Sequence, residues 1–178
     1  MNQIIQGRVW CVGDNIDTDL LLPIDVLQMA RSERPKHVFR ANRPGWVQQV
    51  KPGDILIGGK NFGMGSGRPA AQAMKDLGLS CVVADTLNGL FFRNCINFAF
   101  PGLEIHGVRE AFEEGDEAQV DCAAATITNL RTGVKLSGSP WPELMQQCMR
   151  AGGLVEQLEA AGMLHPVGWS PTPEPKIP

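Results

Sequence analysis

The sequence predicts an α/β domain, and three observations predict it. Two short apolar runs, Asp54-Ile55-Leu56-Ile57 and Ser80-Cys81-Val82-Val83-Ala84, have the continuous character of strands buried on both faces of a parallel or mixed sheet. Between them Ala70, Ala73, Met74 and Leu77 recur at the spacing of a helix's apolar face, so the unit is a strand, glycine loop, helix, strand crossover. From residue 102 the texture changes to short β segments separated by tight turns.

In chain order, residues 4–12 predict an opening strand, closed by the turn signal Gly13-Asp14-Asn15. Asn15-Ile16-Asp17-Thr18-Asp19 then places acidic side chains before Leu20-Leu21-Leu22, which Pro23 stops; on local grounds this is a capping and turn cluster. Residues 24–45 carry Arg31, Arg34, Lys36, Arg40 and Arg43 in a basic, partly helical stretch, either a mobile flap or a solvated face. After the crossover, Leu87, Leu90, Phe91, Cys95 and Phe98 mark a second helix ending before Pro101, with Arg93, Asn94 and Asn97 on or beside its face. Strands follow at 103–105, 117–121 and 125–129, with a short helix around 109–114 and a hairpin turn at Arg131-Thr132-Gly133 into Val134-Lys135-Leu136. A helix at 143–149 is interrupted at Gly152-Gly153 and resumes over 154–160. The last 14 residues hold five prolines, so the expected organisation is one domain over 1–164 and a loose tail over 165–178.

Composition removes several classes of function. The chain has 178 residues, enough for one substantial core, with a formal charge of −3 and a pI near 5.6. Its 16 basic residues are scattered, which gives no footprint for nucleic acid. No apolar run approaches the roughly 20 residues of a membrane helix, and the start lacks a signal core, so a cytoplasmic protein is expected. Cys11, Cys81, Cys95, Cys122 and Cys148 are widely separated and form no Cys-x-x-Cys pair. They read as small buried hydrophobes, and any metal is expected from a partner.

The chemistry concentrates in Gly58-Gly59-Lys60-Asn61-Phe62-Gly63-Met64-Gly65-Ser66-Gly67-Arg68-Pro69. Pro69 suits a first helical turn and pushes Arg68 toward extended backbone, so Ser66 and Arg68 are expected at a helix entrance. Such an entrance offers unpaired N–H groups, glycines let an anion approach them, and Arg68 adds a planar two-pronged donor. The expectation is a carboxylate or phosphate site. The stretch is neither a Walker loop nor a dinucleotide fingerprint.

Four segments in order, Gly13-Asp14-Asn15-Ile16-Asp17-Thr18-Asp19, the stretch Gly59 to Arg68, Leu90-Phe91-Phe92-Arg93-Asn94 with Asn97, and Gly152-Gly153-Leu154, resemble the small subunit of 3-isopropylmalate dehydratase. This is also the swivelling domain of the aconitase superfamily. The resemblance implies a single compact swivelling β/β/α domain. It implies a small subunit of an iron–sulfur hydro-lyase of leucine biosynthesis, dehydrating and rehydrating 3-isopropylmalate or a related substituted malate. The chain would itself bind no metal; a large subunit would carry the [4Fe–4S] cluster, in a heterodimer or heterotetramer. By resemblance Ser66 is the catalytic base, Arg68 binds a substrate carboxylate, and the N–H groups of Gly65 and Gly67 assist.

The departures bear on substrate. The family pattern continues Gly-Ser-Ser-Arg-Glu-His, whereas this chain reads Gly65-Ser66-Gly67-Arg68-Pro69-Ala70, and two residues after Pro23 the family often has arginine where this chain has Asp25. An acidic group there is expected to disfavour a second substrate carboxylate. The alternative function is a non-catalytic paralogue that keeps the fold as a binding or assembly module.

Overall fold

Residues 4–65 and 67–164 are described by a computed structural model. Strand β1 (Ile4–Cys11) is shared by two halves of one sheet. Its last residues pair in parallel with β2 (Ile55–Gly58), Val9 opposite Ile55, and β3 (Cys81–Ala84) and β4 (Gly102–Glu104) extend that half in parallel. Its first residues pair antiparallel with β5 (Glu117–Asp121), Ile4 opposite Asp121, followed by β6 (Thr126–Asn129) and β7 (Lys135–Ser137). The seven-stranded order is β4-β3-β2-β1-β5-β6-β7.

Strands β2 and β3 are buried at every position, because alternate side chains enter different cores. Leu56 and Val82 join Trp10, Phe62 and Met74 on one face. Ile55, Ile57 and Val83 join Leu103, Val120, Ile127 and Met149 on the other. Strand β5 alternates exposed and buried, as a strand with one solvated face should.

Helices α1 (Thr18–Leu21), α2 (Ala70–Leu77) and α3 (Gly89–Asn97) follow the C-terminal ends of β1, β2 and β3. Asp17 caps α1 through Asp19 N, and Asn88 caps α3 through Leu90 N, so the capping reading of the first acidic cluster holds for Asp17. Pro69 lies one residue outside the first turn of α2, at the N-cap position with ψ 46°, where it offers no side-chain acceptor. Helix α4 (Val108–Ala111) is shorter than expected and starts after Gly107; the Asp85 carboxylate accepts from the N–H groups of Gly107 and Arg109. Helices α5 (Glu143–Ala151) and α6 (Leu154–Ala160) are separated by Gly152, a left-handed cap at φ 103°.

The basic stretch after Pro23 packs onto the body instead of standing off it. It forms 3-10 turns at Ile24–Gln28 and Arg34–His37, with another at Trp46–Gln48. Val38, Phe39 and Trp46 are buried; Phe39 meets Trp46 edge-on at 5.0 Å and Trp46 meets Trp10 at 5.7 Å. Its arginines have partners: Arg31 grips Asp76, Arg40 grips Asp25, Arg43 grips Glu114, and Arg34 donates to the Leu27 and Met29 carbonyls. Among the described residues no helix is long and apolar enough to cross a membrane. The expected tail over 165–178 lies outside the described residues.

Candidate functional site

Three loops leave the C-terminal ends of adjacent parallel strands, the edge where open α/β sheets place ligands. They are stitched together by backbone. After β1, Asn15 N donates to Lys60 O at 2.8 Å, and Gly63 N and Met64 N both donate to Ile16 O. Thr18 N closes the contact by donating to Met64 O at 2.8 Å. After β3, Phe62 N donates to Thr86 O, Asn88 N donates to Phe62 O, and Asn61 N donates to the Thr86 hydroxyl at 2.7 Å. The glycine loop therefore lies as an extra rung between the other two, with bridges at Asp17–Met64 and Phe62–Leu87.

Glycine is required in this rung for two reasons. Gly63 has φ 78°, and a Cβ there would run into the Phe91 ring, itself packed edge-on against Phe62 at 5.2 Å. Gly65 has φ 97°, and a Cβ there would stand 2.9 Å from Asp17 Oδ1 and 3.0 Å from Thr18 Oγ1. Gly67 is different: among the described residues only Asn94 Nδ2 comes within 4 Å of its absent side chain, at 3.9 Å, so the missing group leaves open space there.

Arg68 is nearly covered, its side chain 10 % exposed. Its Nη1 donates to Leu22 O at 3.1 Å and pairs with the Asp19 carboxylate, which is 64 % exposed. Both contacts fall on one nitrogen. Nε and Nη2, the edge that receives a carboxylate in a two-pronged pair, have no partner among the described residues. Ser66 lies outside the described residues, between Gly65 and Gly67 in the chain.

Three of the four sequence segments thus converge: Asp17-Thr18-Asp19, the glycine loop with Arg68, and Asn94 on α3. The fourth does not reach this edge. Gly153 sits against the Asn97 carbonyl at the far end of α3, where it closes the α5–α6 turn onto that helix. Asn94 is buried and donates to the Leu90 carbonyl of its own helix, with no bond to another loop among the described residues.

Sequence reasoning missed Asp19 and Thr18 as members of the site. The available signal was redundancy: one aspartate suffices to cap α1, and Asp17 does so, which leaves Asp19 free for Arg68. Thr18 is 1 % exposed, and its hydroxyl has no hydrogen-bond partner among the described residues.

These side chains do not fit a metal or cluster. Among the described residues no three His, Cys, Asp or Glu side chains gather as a ligand set. Burial pushes the Cys11 thiol up to about 11 and the Cys122 thiol up to about 12, and raises those of Cys81 and Cys95 as well. Such thiols stay protonated near neutrality in the free chain.

A parallel-sheet edge bearing a glycine turn and one anchored arginine defines an α/β domain, and the aconitase C-terminal domain model matches residues 16–106, which include the glycine turn, Arg68 and its partners Asp19 and Leu22. The isopropylmalate/citramalate isomerase small subunit of Methanocaldococcus jannaschii is 43 % identical over 161 residues, covering 89 % of this chain and 96 % of that one. A 3-isopropylmalate dehydratase small subunit of Methanopyrus kandleri is 39 % identical, covering 91 % and 96 %. The crystal structure of 3-isopropylmalate dehydratase from M. jannaschii superposes with a TM-score of 0.84 at 28 % identity, covering 90 % of this chain and 96 % of that chain. The chain belongs to the aconitase C-terminal domain family, among the 3-isopropylmalate dehydratase small subunits.

Proposed function

We propose that this chain is the small subunit of a hydro-lyase that dehydrates and rehydrates 3-isopropylmalate or a closely related alkyl-substituted malate. The observation that carries the reading is Arg68, pinned through Nη1 while its Nε–Nη2 edge has no partner among the described residues, beside a glycine turn. That edge receives a substrate carboxylate in a two-pronged pair. Ser66 takes the proton next to that carboxylate, and the N–H groups of Gly65 and Gly67 hold the developing negative charge. Chemistry at the departing hydroxyl is assigned to a [4Fe–4S] cluster on a cytoplasmic large subunit, since the described residues of this chain gather no ligand set for one.

The segment after Leu22 supports an alkyl group at the distant end of the substrate. Ile24 is 68 % exposed, two residues beyond the carbonyl that Arg68 holds. Asp25 next to it is gripped by Arg40 at 2.7 and 2.5 Å, and the Arg40 guanidinium holds the Asp25 carboxyl below its usual range. The repulsion expected of a bare Asp25 is thus largely offset, and the rim offers an apolar side chain beside a compensated pair. The M. jannaschii relative is named for isopropylmalate and citramalate, both alkyl-substituted malates.

The test is to co-purify the chain with its large subunit and assay a panel of hydroxy diacids anaerobically. Turnover of alkyl-substituted malates above those bearing a third carboxylate is expected. A complex that forms but turns over none of the panel would leave the fold as a binding or assembly module.

A further inference from the structure

Two segments that stand out in the sequence, Leu90 to Asn97 and Gly152-Gly153-Leu154, are only partly used by the fold and by the candidate site. On α3, Phe91, Asn94, Cys95 and Ile96 are buried. Leu90, Arg93 and Asn97, at the i, i+3, i+7 spacing of one helix face, are all exposed, Leu90 to 40 %. Arg93 makes a single bond, from Nε to Gly89 O at 3.4 Å, and its Nη1 and Nη2 have no partner among the described residues. The other described arginines each hold a carboxylate or, at Arg34 and Arg109, two carbonyl groups.

This face starts at the functional edge, where Asn88 caps α3 and its N–H donates to Phe62 O of the glycine loop. It runs to the other end of the helix, where Gly153, at φ 146°, lies so close to Asn97 that a Cβ would stand 2.5 Å from the Asn97 carbonyl oxygen. The glycine thereby seats the start of α6 against the end of α3. Leu154 and Val155 follow directly, 38 and 53 % exposed, on a helix that buries none of its residues. At 1.5 Å per residue the face from Leu90 to Asn97 is about 10 Å long. That exceeds the carbon chain of a malate, so a protein surface fits it better than a substrate does.

We infer that this face, from Leu90 and Arg93 on α3 to Leu154 and Val155 on α6, is the docking surface for the large subunit, with Arg93 meeting a carboxylate of that partner and the apolar side chains packing beside it. The identity of the partner rests on the hydro-lyase reading. The described residues gather no ligand set for a cluster, so the large subunit has to reach the edge at which this face begins. A second copy of this chain seated on α3 would stand in its way. Arginine suits the role, because its fork pairs with a carboxylate and interfaces favour it over lysine. Apolar side chains left open together, with a polar rim, mark interaction surfaces.

The experiment measures binding of the purified large subunit, without substrate, to wild type, Arg93→Glu, Val155→Asp and, as a control for charge reversal, Lys135→Glu at an exposed position of β7. Arg93→Glu and Val155→Asp are each expected to weaken association by roughly 10-fold or more, and Lys135→Glu to leave it unchanged. All three isolated chains should unfold at the wild-type temperature. Wild-type association should weaken with salt, and Arg93→Glu should be less salt-dependent. Wild-type affinity in either Arg93→Glu or Val155→Asp, or an equal loss in Lys135→Glu, would overturn the inference; wild-type affinity with a lower kcat/KM in Arg93→Glu would place Arg93 at the substrate instead. Self-association of the isolated chain that Val155→Asp abolishes would give the face to a second copy, and a lower unfolding temperature in either variant would give it to the chain itself; both overturn the inference. A complex that forms, weakens in these two variants and turns over no hydroxy diacid supports the docking surface while the hydro-lyase reading fails.

Discussion

Asp19 and Arg68, 49 positions apart, form an ion pair through the same guanidinium nitrogen that the Leu22 carbonyl occupies. The pair sets the arginine's direction and also partly neutralises the charge that would attract a substrate anion. The two residues should therefore respond in opposite senses. Arg68→Lys keeps a charge but loses the planar edge, and a lost charge-assisted hydrogen bond of about 1.5–3 kcal/mol raises KM by roughly 10- to 100-fold. Asp19→Asn removes a mostly exposed competitor, and since such pairs contribute about 0–1 kcal/mol it lowers KM by up to roughly fivefold. Steady-state kinetics on the reconstituted complex measure both; a rise in KM for Asp19→Asn would make Asp19 a support for Arg68 and not a competitor.

Ser66→Ala separates chemistry from binding. A base that acts at the proton-transfer step contributes about 10²- to 10⁴-fold to rate, so kcat should fall on that scale with KM nearly constant. Unchanged turnover in the complex would make Ser66 a turn residue and remove the proton-abstraction role from this chain.

Much of this architecture is legible in the amino-acid order because its physics is local. Strands β2 and β3 announce themselves because burial on both faces demands continuous apolar runs, and α2 because Ala70, Ala73, Met74 and Leu77 share a face. The stretch from Ile24 to Gln48 was not legible. Its 3-10 turns have no apolar period, and its order comes from Phe39 and Trp46 packing toward Trp10, a contact no local pattern encodes. The site divides the same way. Glycines and Arg68 stand out in one stretch, whereas the partners of Arg68 lie in another loop that only the parallel pairing of β1 and β2 brings alongside.

Acid should unfold the antiparallel half of the sheet through Asp116. Its carboxylate accepts from Arg131 Nε at 2.5 Å, Asn129 Nδ2 at 2.7 Å and Glu113 N at 3.0 Å. The Arg131 hydrogen bond is the main cause that holds its pKa at about 2, below the ordinary 3.8. A folded-state pKa below the unfolded value means stabilisation that is complete above about pH 4 and is lost as pH falls toward 2. Asp116→Asn should therefore melt about 3 °C below wild type at neutral pH, on the scale expected for a domain of this size. The gap should close below pH 3. Thermal unfolding across pH 2–7 measures it, and a gap independent of pH would show that the loss comes from packing and not from the charge.

Gly67→Ser tests whether the departure from the family's serine tunes the substrate. The added Cβ would lie 3.9 Å from Asn94 Nδ2 and touch nothing closer among the described residues, so the backbone accepts it without displacing them. Melting temperature should therefore change by no more than about 2 °C, the level of a neutral surface substitution. Among the described residues the new hydroxyl would lie nearest the Asn94 amide, whose Nδ2 already donates to the Leu90 carbonyl. It would enter the open space on the Asn94 side of the loop and offer the substrate a donor that the glycine does not. A substrate oxygen that meets this donor gains, and a bulkier alkyl group that used the space loses; a change of one small group in a pocket is worth about 10-fold or more in kcat/KM. The measurement is the ratio of kcat/KM for 3-isopropylmalate and for malates with smaller substituents, in wild type and in Gly67→Ser. A shift toward the smaller substituent is expected. An unchanged ratio at unchanged stability would place position 67 outside the substrate's reach and move the search for selectivity to the exposed Ile24.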